Sequence, residues 1–375
     1  MRTTLAVSLI KTKLQMLFIP LIVLATIFLI LVIVLWIYSP GKPVPFLDDN
    51  GKPIPNSISE KIFMNIGGVR QGMFIKSKNK ENPVLLYLHG GIPDFFLTGK
   101  YPTGLEDYFT VVWWEQRGSG LSYNTGIPAK TMNLDQMISD TKEVTNYLRT
   151  RFGQEKIYLM GRSGGTFIGI QAAAWAPELY HAYIGIGQMS DQLESERLAF
   201  EYMLKKYRDL GNRKMVQKLE ASPVSDHIPY AYLKLRDKAM HTIGIGTTHD
   251  MKSVITGLFI PSLTCREYTF KEKFNLWRSK AQSGVHPLWD EMIATDLTQQ
   301  VNEINVPVYF FHGIYDYTVS YPLAKKYFEA IHAPLKGFYT FEKSAHSPLF
   351  EEPEKMEKII ITDVLNGNNS LADKK

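Results

Sequence analysis

The segment Lys156–Pro177, KIYLMGRSGGTFIGIQAAAWAP, constrains the fold more than any other part of the chain. Its first half, Lys156–Met160, is apolar and alternating, as in a buried strand. Its second half, Thr166–Trp175, carries Ala and Ile at helical spacing and stops before Pro177. Between them lies Gly161-Arg162-Ser163-Gly164-Gly165, a strand-to-helix turn too sharp for bulky neighbours, with a hydroxyl at its tip. A Gly-x-Ser-x-Gly turn in that setting fits a nucleophile elbow, and a helix that follows it would aim free N–H groups and its positive end at any developing anion.

The rest of the chain alternates in the same way. Strand-like runs are Lys61–Ile66, Gly72–Ile75, Pro83–His89, Phe109–Glu115, Ala182–Gly187, Val306–Gly313 and Gly337–Glu342. Helical runs are Leu134–Phe152, capped by Asn133 and closed by Gly153, then Tyr321–His332 and Pro353–Leu365. This order predicts a mostly parallel sheet covered on both faces. From about Ser190 to Gln300 no strand of comparable strength occurs, so a helical insertion over the sheet is expected. The domain reading is a core of residues 60–189 and 301–365, a helical cap of 190–300, a linker of 39–59 and a polar, frayed tail of 366–375.

Before the linker the chain is of another kind. Residues 14–38 read LQMLFIPLIVLATIFLILVIVLWIY without a single charge, and about 20 such residues suffice to cross a bilayer as a helix. A cleaved secretory signal has an apolar core of only about 7–15 residues and a small-residue cleavage site. This run is longer and ends in Trp36 and Tyr38, residues suited to a membrane interface. Arg2, Lys11 and Lys13 precede it with no acidic residue, whereas Asp48 and Asp49 dilute Lys42 and Lys52 after it. Residues 1–13 are therefore expected in the cytoplasm and the domain outside, at the cell membrane, with the bilayer as a partner through residues 14–38. The one cysteine, Cys265, excludes an intramolecular disulfide framework. A formal charge of +5 spread among acids, as in Leu204–Glu220, argues against nucleic acid as a partner.

A serine at its ordinary pKa needs a base and an orienting acid. After an elbow of this type the acid precedes the histidine, each at the end of a later strand. YFFHGIYDYTVS places Asp316 after one strand, and FYTFEKSAHSPLFEEP places His346 after the last. Asp290 and Glu342 are rivals for the acid but follow no penultimate strand. His89-Gly90-Gly91 ends LLYLHGGIPD, a loop able to set the Gly91 N–H beside that of Gly164 as an anion hole. No metal-ligand cluster or dinucleotide-binding loop is visible, and no cofactor is expected.

These parts together resemble the α/β-hydrolase superfamily, and within it the prolyl iminopeptidase branch of serine peptidases. HGGIP at 89–93 resembles that branch's HGGPG, WWEQRGSGLS at 113–122 its DQRGSGRS, and GRSGGT at 161–166 its GGSWGS. Ile92, Glu115 and Gly164 depart from those patterns; Gly164 stands in place of a tryptophan beside the nucleophile. The resemblance implies a Ser163–His346–Asp316 hydrolase with a helical cap, acting on small molecules or peptides and releasing N-terminal residues. It further implies a cap glutamate reading the substrate amine, a role for Glu194, with Glu196 and Glu201 as competitors. The alternatives are a carboxylesterase or lipase-like acyl hydrolase, and a non-catalytic binding protein on the same fold. Epoxide and haloalkane chemistry is disfavoured, because those relatives carry a carboxylate at the elbow.

Overall fold

The computed structural model describes residues 2–282 and 286–374. Met1 of the segment expected in the cytoplasm and Lys375 of the tail lie outside the described residues. A single helix, Arg2–Ile37, opens the chain, and its stretch Phe18–Ile37 is long and apolar enough to cross a membrane, with mean hydropathy 3.3. No residue of that stretch is buried.

The domain is built on one sheet of eight strands: β1 (Ile58–Ile66), β2 (Val69–Ser77), β3 (Val84–Leu88), β4 (Thr110–Glu115), β5 (Ile157–Arg162), β6 (Tyr180–Ile186), β7 (Val308–Gly313) and β8 (Lys336–Phe341). Their order is β1-β2-β4-β3-β5-β6-β7-β8. β1 and β2 form a hairpin through Gly67-Gly68, both at positive φ, as a tight turn between twisted strands requires. β2 runs antiparallel to β4, and from β4 to β8 every pairing is parallel.

The central strands are apolar throughout because both faces are covered. Leu86, Leu88, Val112, Trp114 and Leu159 meet the core under the helices Leu134–Phe152, Gly164–Trp175 and Tyr321–Ala330. Their neighbours Leu85, Tyr87, Val111, Trp113 and Tyr158 meet a second core with Met356, Ile359 and Val364. This is the period of two expected of a strand. Between β6 and β7 the chain is helical and carries its own small core, including Phe200, Met203, Tyr207 and Tyr232.

The segment Trp113–Ser122 acts as a bracket. Arg117, almost fully buried, bonds Asp140 at 2.8 and 3.0 Å and the Gly67 carbonyl at 2.9 Å, tying the β1–β2 hairpin to the helix Leu134–Phe152. Glu115 accepts bonds from the Tyr268 hydroxyl and the Leu121 N–H, and burial pushes its carboxyl up to about 8. The tail corrects the expectation of fraying. The Asp373 N–H bonds the Phe338 carbonyl of β8 at 2.8 Å, and the Asp363 carboxylate receives the N–H groups of Ser370 and Leu371.

Candidate active site

The carboxyl ends of β3, β5, β6, β7 and β8 converge under the cap, the edge where parallel α/β sheets hold ligands. Ser163 follows β5 directly at φ 56°, ψ −128°, one of two non-glycine residues at positive φ among those described. The flanking glycines are needed by contact. A Cβ on Gly161 would lie 2.6 Å from the Gly165 carbonyl oxygen, and one on Gly165 would lie 2.1 Å from that of Leu88. Gly90 is as close-fitting, since its Cβ would stand 2.7 Å from the Ser163 Cβ and 3.0 Å from its Oγ. Gly90→Ala therefore displaces the hydroxyl. We expect kcat to drop by about 10²-fold, as for misplacements near 1 Å, with an unchanged far-UV circular dichroism spectrum.

Asp316 and His346 come together at the ends of β7 and β8. His346 Nδ1 donates to Asp316 Oδ2 at 2.8 Å, and His312 Nε2 approaches the same oxygen at 3.3 Å. Asp316 Oδ1 accepts the N–H groups of Thr318 and Val319, each at 2.9 Å. Burial alone would raise this carboxyl, but the His346 imidazole and the bonds from both histidines hold it well below the usual carboxylate range. The His346 imidazole is lowered by burial, with help from Arg162 and His312, against the pull of Asp316. His346 Nε2 is buried without a hydrogen-bond partner among the described residues. Both His346 and Ser163 line one cavity of about 210 Å³, together with Gly91 and Gly164.

Three supports went unread in the sequence. Gly187, at φ 58° after β6, lets the imidazole pass, for its Cβ would stand 3.0 Å from His346 Nδ1. Arg162, buried beside Ser163, bonds Asp94 at 2.9 Å and the hydroxyl of Ser347, joining the elbow to the His346 loop. The Glu351 carboxylate receives the N–H groups of Ala345 and Ser347 on either side of His346. His89 braces the opposite wall: its Nε2 accepts the Gln116 N–H at 3.2 Å, so Nδ1 carries the proton donated to the Gly90 carbonyl.

Glu194 is misplaced by the sequence reading. It sits in the first turn of the helix Gln192–Asp209, partly exposed and paired with Arg197 at 2.8 Å, outside the cavity lining. Glu196 is the glutamate that reaches the cavity. It is buried and held by Arg236 at 2.6 Å, by the Tyr232 hydroxyl at 3.1 Å and by Gln192 at 3.0 Å. Both residues lie on one helix, but two positions put them on opposite sides of it.

Comparison with known proteins places the chain in a family. The profile of the family "Serine aminopeptidase, S33" matches residues 105–248. The probable aminopeptidase YbaC of Bacillus subtilis (strain 168) is 32% identical over 310 residues, covering 80% of this chain and 95% of its own. Among solved structures, a proline iminopeptidase-related protein from Thermus thermophilus superposes with a TM-score of 0.58 at 18% identity, over 82% of this chain and 98% of that one. The proline iminopeptidase of Mycobacterium smegmatis does so at 0.56 and 14% identity, with the same coverage, and these two likenesses speak to the fold. By the sequence relationship, the chain belongs to the serine aminopeptidase (S33) family of α/β-hydrolases and is a hydrolase.

Proposed function

We propose that the protein is a membrane-anchored serine hydrolase in which Ser163 is the nucleophile, His346 the general base and Asp316 its orienting acid. The observation that carries this reading is the buried Asp316–His346 pair, whose Nε2 has no hydrogen-bond partner among the described residues and whose histidine lines the same cavity as Ser163. Oγ attacks a carbonyl carbon while its proton passes to His346 Nε2, and the N–H groups of Gly91 and Gly164 receive the oxyanion. His346 then gives the proton to the leaving amine or alkoxide. Water, deprotonated by the same nitrogen, cleaves the acyl-enzyme and restores the hydroxyl. The anchor is the helix through Phe18–Ile37, with the N-terminus cytoplasmic and the domain outside, as Arg2, Lys11 and Lys13 favour.

The favoured reaction is aminopeptidase cleavage of the prolyl iminopeptidase type, in keeping with the relatives. One observation favours acyl-ester hydrolysis instead. Glu196 is already neutralised by Arg236, and the cavity wall is rich in methionine, including Met137, Met189, Met240 and Met292. The detergent-solubilised full chain separates the two on four substrates: a proline anilide with a free N-terminus, the same anilide N-acetylated, an alanine anilide and a short acyl ester. The peptidase reading expects the free proline anilide to be turned over and the acetylated one refused. Preference for the ester, with indifference to the amine, would replace it with the second reading.

A further inference from the structure

The cap contains an apolar run, Ile255–Thr264, that the proposed chemistry does not use. It forms one continuous helical stretch, a wide turn over Ile255–Phe259 followed by a regular turn over Ile260–Thr264. Its inner side is committed: Leu258 lines the active-site cavity, and Pro261 and Ser262 are buried. Its outer side shows Ile255 at 64%, Phe259 at 39% and Ile260 at 46% exposure, beside Phe274 at 54%. Phe274 lies on the helix Phe270–Gln282, which packs on this stretch through the Phe259–Trp277 ring contact at 5.2 Å and the Trp277–Ser262 hydrogen bond, and so much exposed apolar surface on two packed helices calls for a partner.

The position of this face says what covers it. The buried ammonium of Lys273 donates to two carbonyls, Tyr38 at the end of the N-terminal helix and Leu263 at the end of the apolar stretch, each at 2.6 Å. Pro40 pairs with Thr269 as a bridge, and the Gly41 N–H bonds the Arg266 carbonyl at 3.1 Å. One cation thus clamps the exit of the span to the end of the apolar helix. Tyr38, at the exit of the helix, and Leu263, in the apolar stretch, thus lie within reach of one ammonium, and Trp36 and Tyr38 beside that exit are exposed. Arg266 and Lys271 are exposed on the adjoining turns and suit anionic headgroups.

We infer that Ile255–Thr264 and Phe274 form a membrane-contacting surface, seated at the headgroup–acyl boundary of the bilayer that the N-terminal helix crosses. The cavity wall carrying Leu258 is thereby held against the lipid surface. The inference rests on the reading of Phe18–Ile37 as a span, and its test keeps the two apart. In a Cys265→Ser background, a nitroxide is attached to the full chain at Phe259→Cys or Ile255→Cys. Leu29→Cys serves as the marker of the span, and Trp175→Cys as an exposed site outside the patch. The proteins are placed in vesicles of phosphatidylethanolamine and phosphatidylglycerol, and collisions with oxygen and with a water-soluble nickel chelate are read by electron paramagnetic resonance.

The expected result is a nickel collision rate several-fold lower at 255 and 259 than at 175, with oxygen access raised and position 29 deeper still. Labels at 255 and 259 as wet as 175, with 29 in lipid, would overturn the membrane-contact surface and leave the span intact. A nickel-accessible position 29 would overturn both. Because these are surface positions, retained hydrolase activity identifies the labelled proteins that have folded.

Discussion

Ser163→Ala is expected to lower kcat by about 10⁴–10⁶-fold, the range seen when an activated serine is removed and only binding and the anion hole remain. A fluorophosphonate probe, which reacts only with an activated hydroxyl, should label the parent protein and not the variant. The backbone adds a second, independent reading. Ser163 is held at φ 56°, ψ −128°, a conformation that strains any residue with a Cβ by about 1–3 kcal/mol. Alanine inherits that strain, so Ser163→Ala should keep the parent's stability. Glycine does not, so Ser163→Gly should be equally inactive but unfold at higher denaturant concentration. Retained turnover in either variant would remove Ser163 from the mechanism, whereas loss of activity with loss of folded protein would point to a structural role.

The fold was legible because its signals are local. VLLYL and IYLMG are apolar without a break because helices cover both sheet faces, and the glycines of the elbow are dictated by carbonyls only 2.1–2.6 Å from where a Cβ would stand. The cap glutamate was not legible in this way. Glu194 and Glu196 share a helix, and choosing between them needs the helix's phase against the sheet. That phase was partly written in the chain: Ala199, Phe200, Met203 and Tyr207 form the buried stripe, and Glu196 falls three and four residues before its first members. Arg162 and Gly187 were missed for another reason. Their roles come from loops after other strands, Ser347 for one and His346 for the other, and no spacing within the chain announces a contact across 185 positions. The polar tail looked free to fray because its anchoring acid, Asp363, lies in the preceding helical run and accepts N–H groups only once the chain has turned back.

Asp316→Asn probes the partner of the proposed base, His346, and its pH profile separates orientation from scaffolding. The base works only as neutral imidazole, so kcat/KM is lost as pH falls through the pKa of His346 in the folded protein. Burial sets that pKa below the ordinary 6.5, so the parent's acid limb should lie below pH 6.5. Asp316 opposes this shift by favouring the imidazolium. Removing its charge should move the acid limb to still lower pH. At the same time the amide can offer an N–H to Nδ1, which selects the wrong tautomer and leaves the imidazolium formed in the transition state unsupported. The cost expected at the plateau is about 10⁴-fold in kcat. The two effects have opposite signs on the acid side: the variant is far slower everywhere, yet its relative activity holds to lower pH. If Asp316 merely held the loop through Thr318 and Val319, the variant would lose active protein by one factor at every pH, with its acid limb unmoved.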